Sequence, residues 1–231
     1  MNFEILNLTL SAKTHEECKR VQLLVRDLIE FRKLDISKVK IVAGVDVSYK
    51  GDEGIGVLVL VDFEKGDVIQ TLVSRSKVSL PYIPGLLAFR EIPVVIDLFS
   101  QLSIHPDVVI VDGQGIAHPL GVGFATHLGT IIEMPTIGSA KSLLYGTYVD
   151  LPNVLCADSP IIDPKTGNVI GKALKTKLSS RPIFVSVGNF IDLDSSVEIV
   201  KKLTFLGDCR LPIPIFWADK ISKEERKKLL P

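Results

Sequence analysis

The chain is short of cysteine, carries no net charge and has no long apolar run, and each shortage excludes something. Cys18, Cys156 and Cys209 are few, odd in number and widely spaced. They give neither a disulfide framework nor zinc-ligand spacing, and fit reduced thiols in a cytoplasmic protein. The longest apolar run, Val57 to Val61, falls far short of a membrane span, so no membrane partner is expected. Met1 to Arg20 lacks a positive start followed by an apolar core, which argues against a signal peptide. Lys plus Arg number 27 and so do Asp plus Glu. Any hold on nucleic acid must therefore be local, although acids gathered at a metal would cancel a basic groove in the sum. Internal repeats, low-complexity tracts and linkers are also missing.

What is present points to one domain spanning residues 1–231, with 46% hydrophobic and 23% charged residues. Val21, Leu24, Val25, Leu28 and Phe31 recur at helical steps and predict an amphipathic helix over 14–33 that packs on a sheet. Three Val/Ile/Leu-rich segments, 39–49, 54–63 and 68–78, are divided by polar Gly-containing turns and predict an antiparallel meander. A helix is expected over 85–100 with a break at Pro93, then a strand at 107–111 and a helix at 121–130. A strand at 134–137 and a Ser139-capped helix toward Tyr145 follow. Two strands are expected within 151–177, another at 183–187, and a helix over 195–206 capped by Ser195 with Glu198. From Leu211 the chain reads as Pro-rich and then basic. The sum is an α/β protein whose mixed central sheet has three antiparallel N-terminal strands.

Val108-Val109-Ile110-Val111-Asp112-Gly113 is the most telling stretch. A short apolar run bounded by turn residues predicts a strand buried on both faces, and an acid at its carboxyl end lies where open α/β sheets place ligands. Gly113 and Gly115 leave room for close backbone approach. Asp46 sits in an equally apolar strand, where a carboxylate needs a partner or a cation. It reads as a metal ligand or as a satisfied structural acid. Glu91 alone reads as readily as an ion pair with Arg90 or a solvated helix face. Together the three acids suggest hard oxygen ligands for Mg²⁺ or Mn²⁺, and hence phosphate chemistry.

Other residues stay open at this point. His118 could orient a water or a phosphate, or cap the next helix, whereas His127 reads as structural. Lys141 could reach a phosphate from a helix N-terminus, or lie in solvent. Lys172, Lys175, Lys177 and Arg181 could track a nucleic-acid backbone or form a solvated face. Tyr82, between Pro81 and Pro84, is either an aromatic held rigidly at a loop tip or one folded back onto the core.

In order along the chain, Val42-Ala43-Gly44-Val45-Asp46-Val47-Ser48-Tyr49, Pro81-Tyr82-Ile83-Pro84-Gly85 through Glu91, Val111-Asp112-Gly113-Gln114-Gly115 with Ala117-His118-Pro119, His127-Leu128-Gly129 and Thr136 through Gly146 resemble the endonuclease V family. The likeness runs from about Val39 to Asp219. It implies an RNase H-like fold and a monomeric, Mg²⁺-dependent DNA repair endonuclease, with Mn²⁺ able to substitute. It implies cleavage of the second phosphodiester 3′ to deoxyinosine, leaving 3′-hydroxyl and 5′-phosphate ends. Asp46, Glu91 and Asp112 would be metal ligands, with His118, Lys141 and Asp219 also catalytic. Tyr82, with Pro81, Ile83 and Pro84, would form a wedge loop. Gly85, Leu87, Gly113, Gly115, Gly138 and Leu144 would line the pocket for the flipped base. Leu120 stands where the family usually has a basic residue, Asn189 where it often has histidine, and Ile213, Ile215 and Phe216 where polar and basic residues are usual. Competing readings are a structure-specific nuclease, a nuclease for inosine-containing RNA, and a non-catalytic binder of modified bases.

Overall fold

The three Val/Ile/Leu-rich segments form the expected meander: β1 (Ile41–Lys50), β2 (Glu53–Asp62) and β3 (Val68–Lys77), each antiparallel to the next. The computed structural model describes residues 1–229. β4 (Val108–Val111) lies on the other side of β1 and runs parallel to it, and β5 (Thr136–Ala140) runs parallel to β4. β6 (Asp158–Ile162), β7 (Val169–Leu174) and β8 (Ile183–Asn189) continue the sheet antiparallel, with β8 against β5. The eight strands stand in the order β3-β2-β1-β4-β5-β8-β7-β6. This is the mixed, RNase H-like sheet that the resemblance implied.

Strand alternation divides the apolar residues between two layers. Ala43, Val45, Leu58, Leu60, Val109 and Val111 face α1 (Phe3–Ser11), α2 (His15–Asp27), α3 (Leu87–Ser100) and α4 (Phe124–Ile132). Val42, Val57, Val59, Val108 and Ile110 face α5 (Leu193–Leu206) and α6 (Ile213–Lys228). Among the described residues no helix is long and apolar enough to cross a membrane.

Several local expectations are corrected. The N-terminal helix stops at Asp27, not Lys33, because tertiary bonds capture the following backbone: Glu30 N–H donates to Asn189 Oδ1 at 2.7 Å and Phe190 N–H to Glu30 O at 2.8 Å. Its cap is a full Thr14–Glu17 capping box. α3 runs unbroken through Pro93, held by the burial of Phe89, Ile92, Val94, Val95 and Leu98. No helix starts at Ser139, since Ser139 and Ala140 pair with Val185 and Phe184 as the end of β5. Asp192, not Ser195, caps α5 by accepting Ser195 N–H at 2.8 Å. α1 and α6 are helices where none was expected.

α6 rests directly on β1. A Cβ on Gly44 would lie 2.3 Å from the Pro214 carbonyl carbon, so the strand's missing side chain admits the helix backbone. Gly44→Ala should therefore lower stability by about 3 kcal/mol or more, beyond an ordinary overpacked core. The urea-unfolding midpoint measures this, and an unchanged midpoint would refute the close approach.

Candidate active site

The parallel ladder ends at one level, because Val45 lies opposite Val111, and Val111 opposite Gly138. Just past that level stand Asp46, still within β1, Asp112, the first residue after β4, and Lys141, the first after β5. Asp112 N–H donates to Val45 O at 2.9 Å, which sets Asp46 and Asp112 on neighbouring strands. α6 crosses the same face and adds Asp219. Ligand oxygens of Asp46, Asp112 and Asp219 all lie within 4.8 Å of one another. Such a set of hard oxygens is compatible with a divalent cation.

Glu91 is placed differently from Asp46 and Asp112, the acids it was grouped with by sequence. It stands on α3, which covers the opposite face of the sheet, and it lies outside that close group of oxygens. It is buried, and its Oε2 has no hydrogen-bond partner among the described residues. Burial, then the charges of Asp46 and Asp112, raise its pKa well above the ordinary carboxylate value. Asp219, the last of the expected acids, takes the third place in the cluster.

Cations and hydroxyls hold the three aspartates together. Ser222, three residues after Asp219 on α6, donates to Asp46 Oδ2 at 2.5 Å, and its carbonyl accepts from Ser48 Oγ at 2.8 Å. The Lys141 ammonium bonds both Asp112 and Asp219, and Lys223 reaches Asp219 at 2.7 Å. Burial and the adjacent Asp46 charge push Asp112 up to about 7 despite Lys141. Burial also works against ionised Asp219, but bonds from Lys141 and Lys223 keep its pKa below the ordinary value. Desolvation disfavours the Lys141 ammonium, yet Asp112 and Asp219 hold its pKa above the usual lysine value. Lys141 thus sits at a strand end among acids, not at a helix N-terminus.

These groups open onto a cavity of about 550 Å³. Tyr82, Gly85, Leu87, Gly113, His118 and Leu144 line it together with the four acids and Lys141. Pro81, Ile83 and Pro84 do not line it, although Pro84 borders a second cavity of about 230 Å³ behind His118. Gly115 and Gly138 do not line it either. A Cβ on Gly115 would lie 1.9 Å from Val187 O, and one on Gly138 would lie 2.4 Å from Gly115 N. Their small size lets the loop after β4 lie flat against β5 and β8.

His118 is more occupied than its neighbourhood suggests. Its Nδ1 accepts Leu120 N–H at 3.1 Å, which leaves the Nε2 proton for Gly85 O at 3.0 Å. Burial lowers its pKa. Both ring nitrogens are thus committed to backbone groups of the fold. His127 is structural, as expected: it bonds Thr9 Oγ1 at 2.8 Å, lies edge-on to Phe89, and is pushed down to about 3 by burial. Asn189 also belongs to the framework, donating to Thr130 Oγ1 at 2.9 Å and accepting from Glu30 and Phe190. The basic stretch is broken up, with Lys172 3.2 Å from Asp158 and Lys175 buried against Ser180 O.

Sequence reasoning missed Ser222, Lys223 and Arg226, the last two of which line the cavity. All three lie at helical spacing beyond Asp219, a signal that exists only once α6 is recognised as a helix. Tyr49 and Gln114 also line the cavity and stand inside motifs already singled out.

Comparison with known proteins agrees with this geometry. A sequence model of the family described as endonuclease V matches residues 24–220. The endonuclease V of Kosmotoga olearia is 39% identical over 216 residues, covering 93% of each chain. That of Desulfurococcus amylolyticus is 37% identical over 87% of this chain and 89% of its own. The crystal structure of Bacillus subtilis endonuclease V superposes with a TM-score of 0.88 at 34% identity, over 94% of both chains. Ciona intestinalis endonuclease V, solved in complex with a 24mer DNA containing an inosine followed by a ribo-adenosine, gives a TM-score of 0.80 at 30% identity, over 92% of this chain and 98% of that one. Sequence, fold and acid cluster together place the chain in the endonuclease V family of nucleases.

Proposed function

We propose that this chain is a divalent-metal-dependent endonuclease, acting as one catalytic unit, that recognises deoxyinosine in DNA and hydrolyses the second phosphodiester 3′ to it, leaving 3′-hydroxyl and 5′-phosphate ends. One observation carries the reading. Asp46, Asp112 and Asp219, from three distant segments, converge within 4.8 Å beside a cavity that also holds Tyr82. The Ciona relative, solved with inosine-containing DNA, supports the substrate. The ribo-adenosine in that complex keeps inosine-containing RNA as a second reading.

The donors are carboxylate oxygens, which suit Mg²⁺ or Mn²⁺ and not the softer metals. Asp46, Asp112 and Asp219 would hold the ion, and Glu91 adds an unpartnered oxygen behind them. When bound, such an ion supplies Lewis acidity and charge neutralisation at the scissile phosphate. Lys141, already drawn among the acids, offsets charge developing on the phosphate oxygens. Tyr82 presents its ring at the cavity mouth as a wedge into the stack. Gly85, Gly113, Leu87 and Leu144 wall a space where backbone groups read the edge of the extruded base. Lys223 and Arg226 line the same cavity and bind the strand's backbone.

Purified protein with Mg²⁺ should nick a deoxyinosine oligonucleotide and spare the deoxyadenosine control. Asp46→Asn and Asp112→Asn should each reduce cleavage by at least about a thousandfold while the fold is retained by circular dichroism. Cleavage that persists in excess EDTA would end the metal-dependent reading.

Lys141 bonds Asp112 and Asp219, two of the residues that would hold the cation, and would compete with it. Lys141→Met should bind Mn²⁺ more tightly by calorimetry while losing cleavage; weaker binding would count against that competition.

Metal-free stability should depend on pH through Asp112. Its folded pKa, about 7, lies above the unfolded value near 3.8, so the folded state binds the proton more tightly. Its contribution is complete below about pH 4 and is lost as pH rises to about 7. The melting temperature of metal-free wild type should fall over that window relative to Asp112→Asn, and Mg²⁺ should restore it in wild type alone. Parallel melting curves for the two proteins would contradict the raised value.

A further inference from the structure

The segment that presents Tyr82 has little of its own to hold it. Pro81 and Pro84 have no N–H, and the turn is closed by Leu86 N–H donating to Ile83 O at 3.0 Å. Tyr82 is nevertheless 66% exposed at the cavity mouth, where a wedge has to resist base stacking. Support comes from side chains outside the loop. At its start, Leu80 O accepts from the Arg90 guanidinium, which lies over the Tyr49 ring at 4.4 Å to the centroid. At its end, Gly85 O accepts from Gln22 Nε2 at 2.8 Å and from His118 Nε2 at 3.0 Å.

Each clamp is itself anchored. Gln22 is 1% exposed, and the same amide nitrogen also donates to Val122 O at 3.2 Å, tying α2 to the segment before α4. His118 is fixed in turn by Leu120 N–H. Gly85 has φ +86°, a left-handed conformation that glycine adopts without strain, and this turns the chain sharply where the clamp grips. Gln22 lies outside residues 24–220, the span matched by the family. Arg90 had been weighed only as an ion-pair partner for Glu91.

We infer that Gln22 and Arg90 are positioning residues of the base-extrusion step, gripping the Gly85 and Leu80 carbonyls so that Tyr82 stands as a fixed wedge between them. The inference rests on the proposed recognition of deoxyinosine. Extrusion from a duplex must break stacking and pairing, whereas a base in a single strand is largely free already. A loosened wedge therefore harms the duplex reaction and spares the single-strand one.

The test measures kcat/KM with Mg²⁺ on one deoxyinosine sequence, as duplex and as single strand, for wild type, Gln22→Met, Arg90→Met and Tyr82→Ala. Both substrates share the chemical step, so changes at the acid cluster and partial unfolding cancel in the duplex-to-single-strand ratio. Gln22→Met and Arg90→Met should each lower that ratio roughly tenfold or more, the scale of a lost buried hydrogen bond. Arg90→Lys, which keeps a donor for Leu80 O, should recover part of it. If Tyr82→Ala lowers the ratio while both clamp variants keep the wild-type value, the clamp is overturned and the wedge survives. A Tyr82→Ala ratio equal to wild type removes the wedge, and the clamp falls with it.

Discussion

Carboxylates crowded together with little water repel one another, and much of this structure answers that repulsion. Two unit charges about 4 Å apart repel by about 4 kcal/mol at an effective dielectric near 20. Three aspartates stand at comparable separations here, with Glu91 buried behind them. The chain offsets this with the Lys141 ammonium between Asp112 and Asp219, Lys223 on Asp219 and the Ser222 hydroxyl on Asp46. Burial first, and then the repulsion these groups leave unanswered, raise the pKa values of Asp112 and Glu91. A divalent cation is a more concentrated answer to the same repulsion. The cluster is thus a strained arrangement of the folded chain, and that strain makes it compatible with a divalent cation.

Such a cluster needs walls that do not yield, and the sheet provides them. The parallel ladder puts Asp46 and Asp112 on adjacent strands, with a backbone hydrogen bond between Asp112 and Val45. α6 approaches β1 to the limit set by Gly44 and carries Asp219 and Ser222 at a separation of one helical turn. The opposite layer contributes Glu91 from α3 and the base of the Tyr82 loop through Arg90, its immediate neighbour. Glu91, behind the cluster, and the support of the loop therefore share one helix, and a movement of α3 would disturb both.

The strands were legible because period-two patterns and Gly-containing turns are local signals. Asp112 was legible for a similar reason, standing at the end of a fully apolar run. What stayed hidden depended on tertiary partners. The segment from Leu211 read only as Pro-rich and then basic, yet proline suits the entry to a helix, where its missing N–H has no intrahelical partner. α2 ends early because Asn189 captures the backbone after it, over a sequence separation of 159 residues. Glycines gave the least reliable reading. Gly85 and Gly113 open onto the cavity, while Gly115 and Gly138 serve backbone contacts inside the sheet, and nothing local in the sequence tells these apart.

The apolar residues that open α6 find their role in packing. Ile213 and Ile215 are buried in the layer formed with Val59, Leu203 and Val197, with Phe216 and Trp217 packed beside them. They fix the first turn of α6 to the sheet. The next turn is then delivered to the strand ends at a defined angle, and Asp219 arrives within reach of Asp112 and Asp46. Apolar residues thus set the position of an acid of the cluster. This burial anchors α6, and Asp219 takes its place in the cluster.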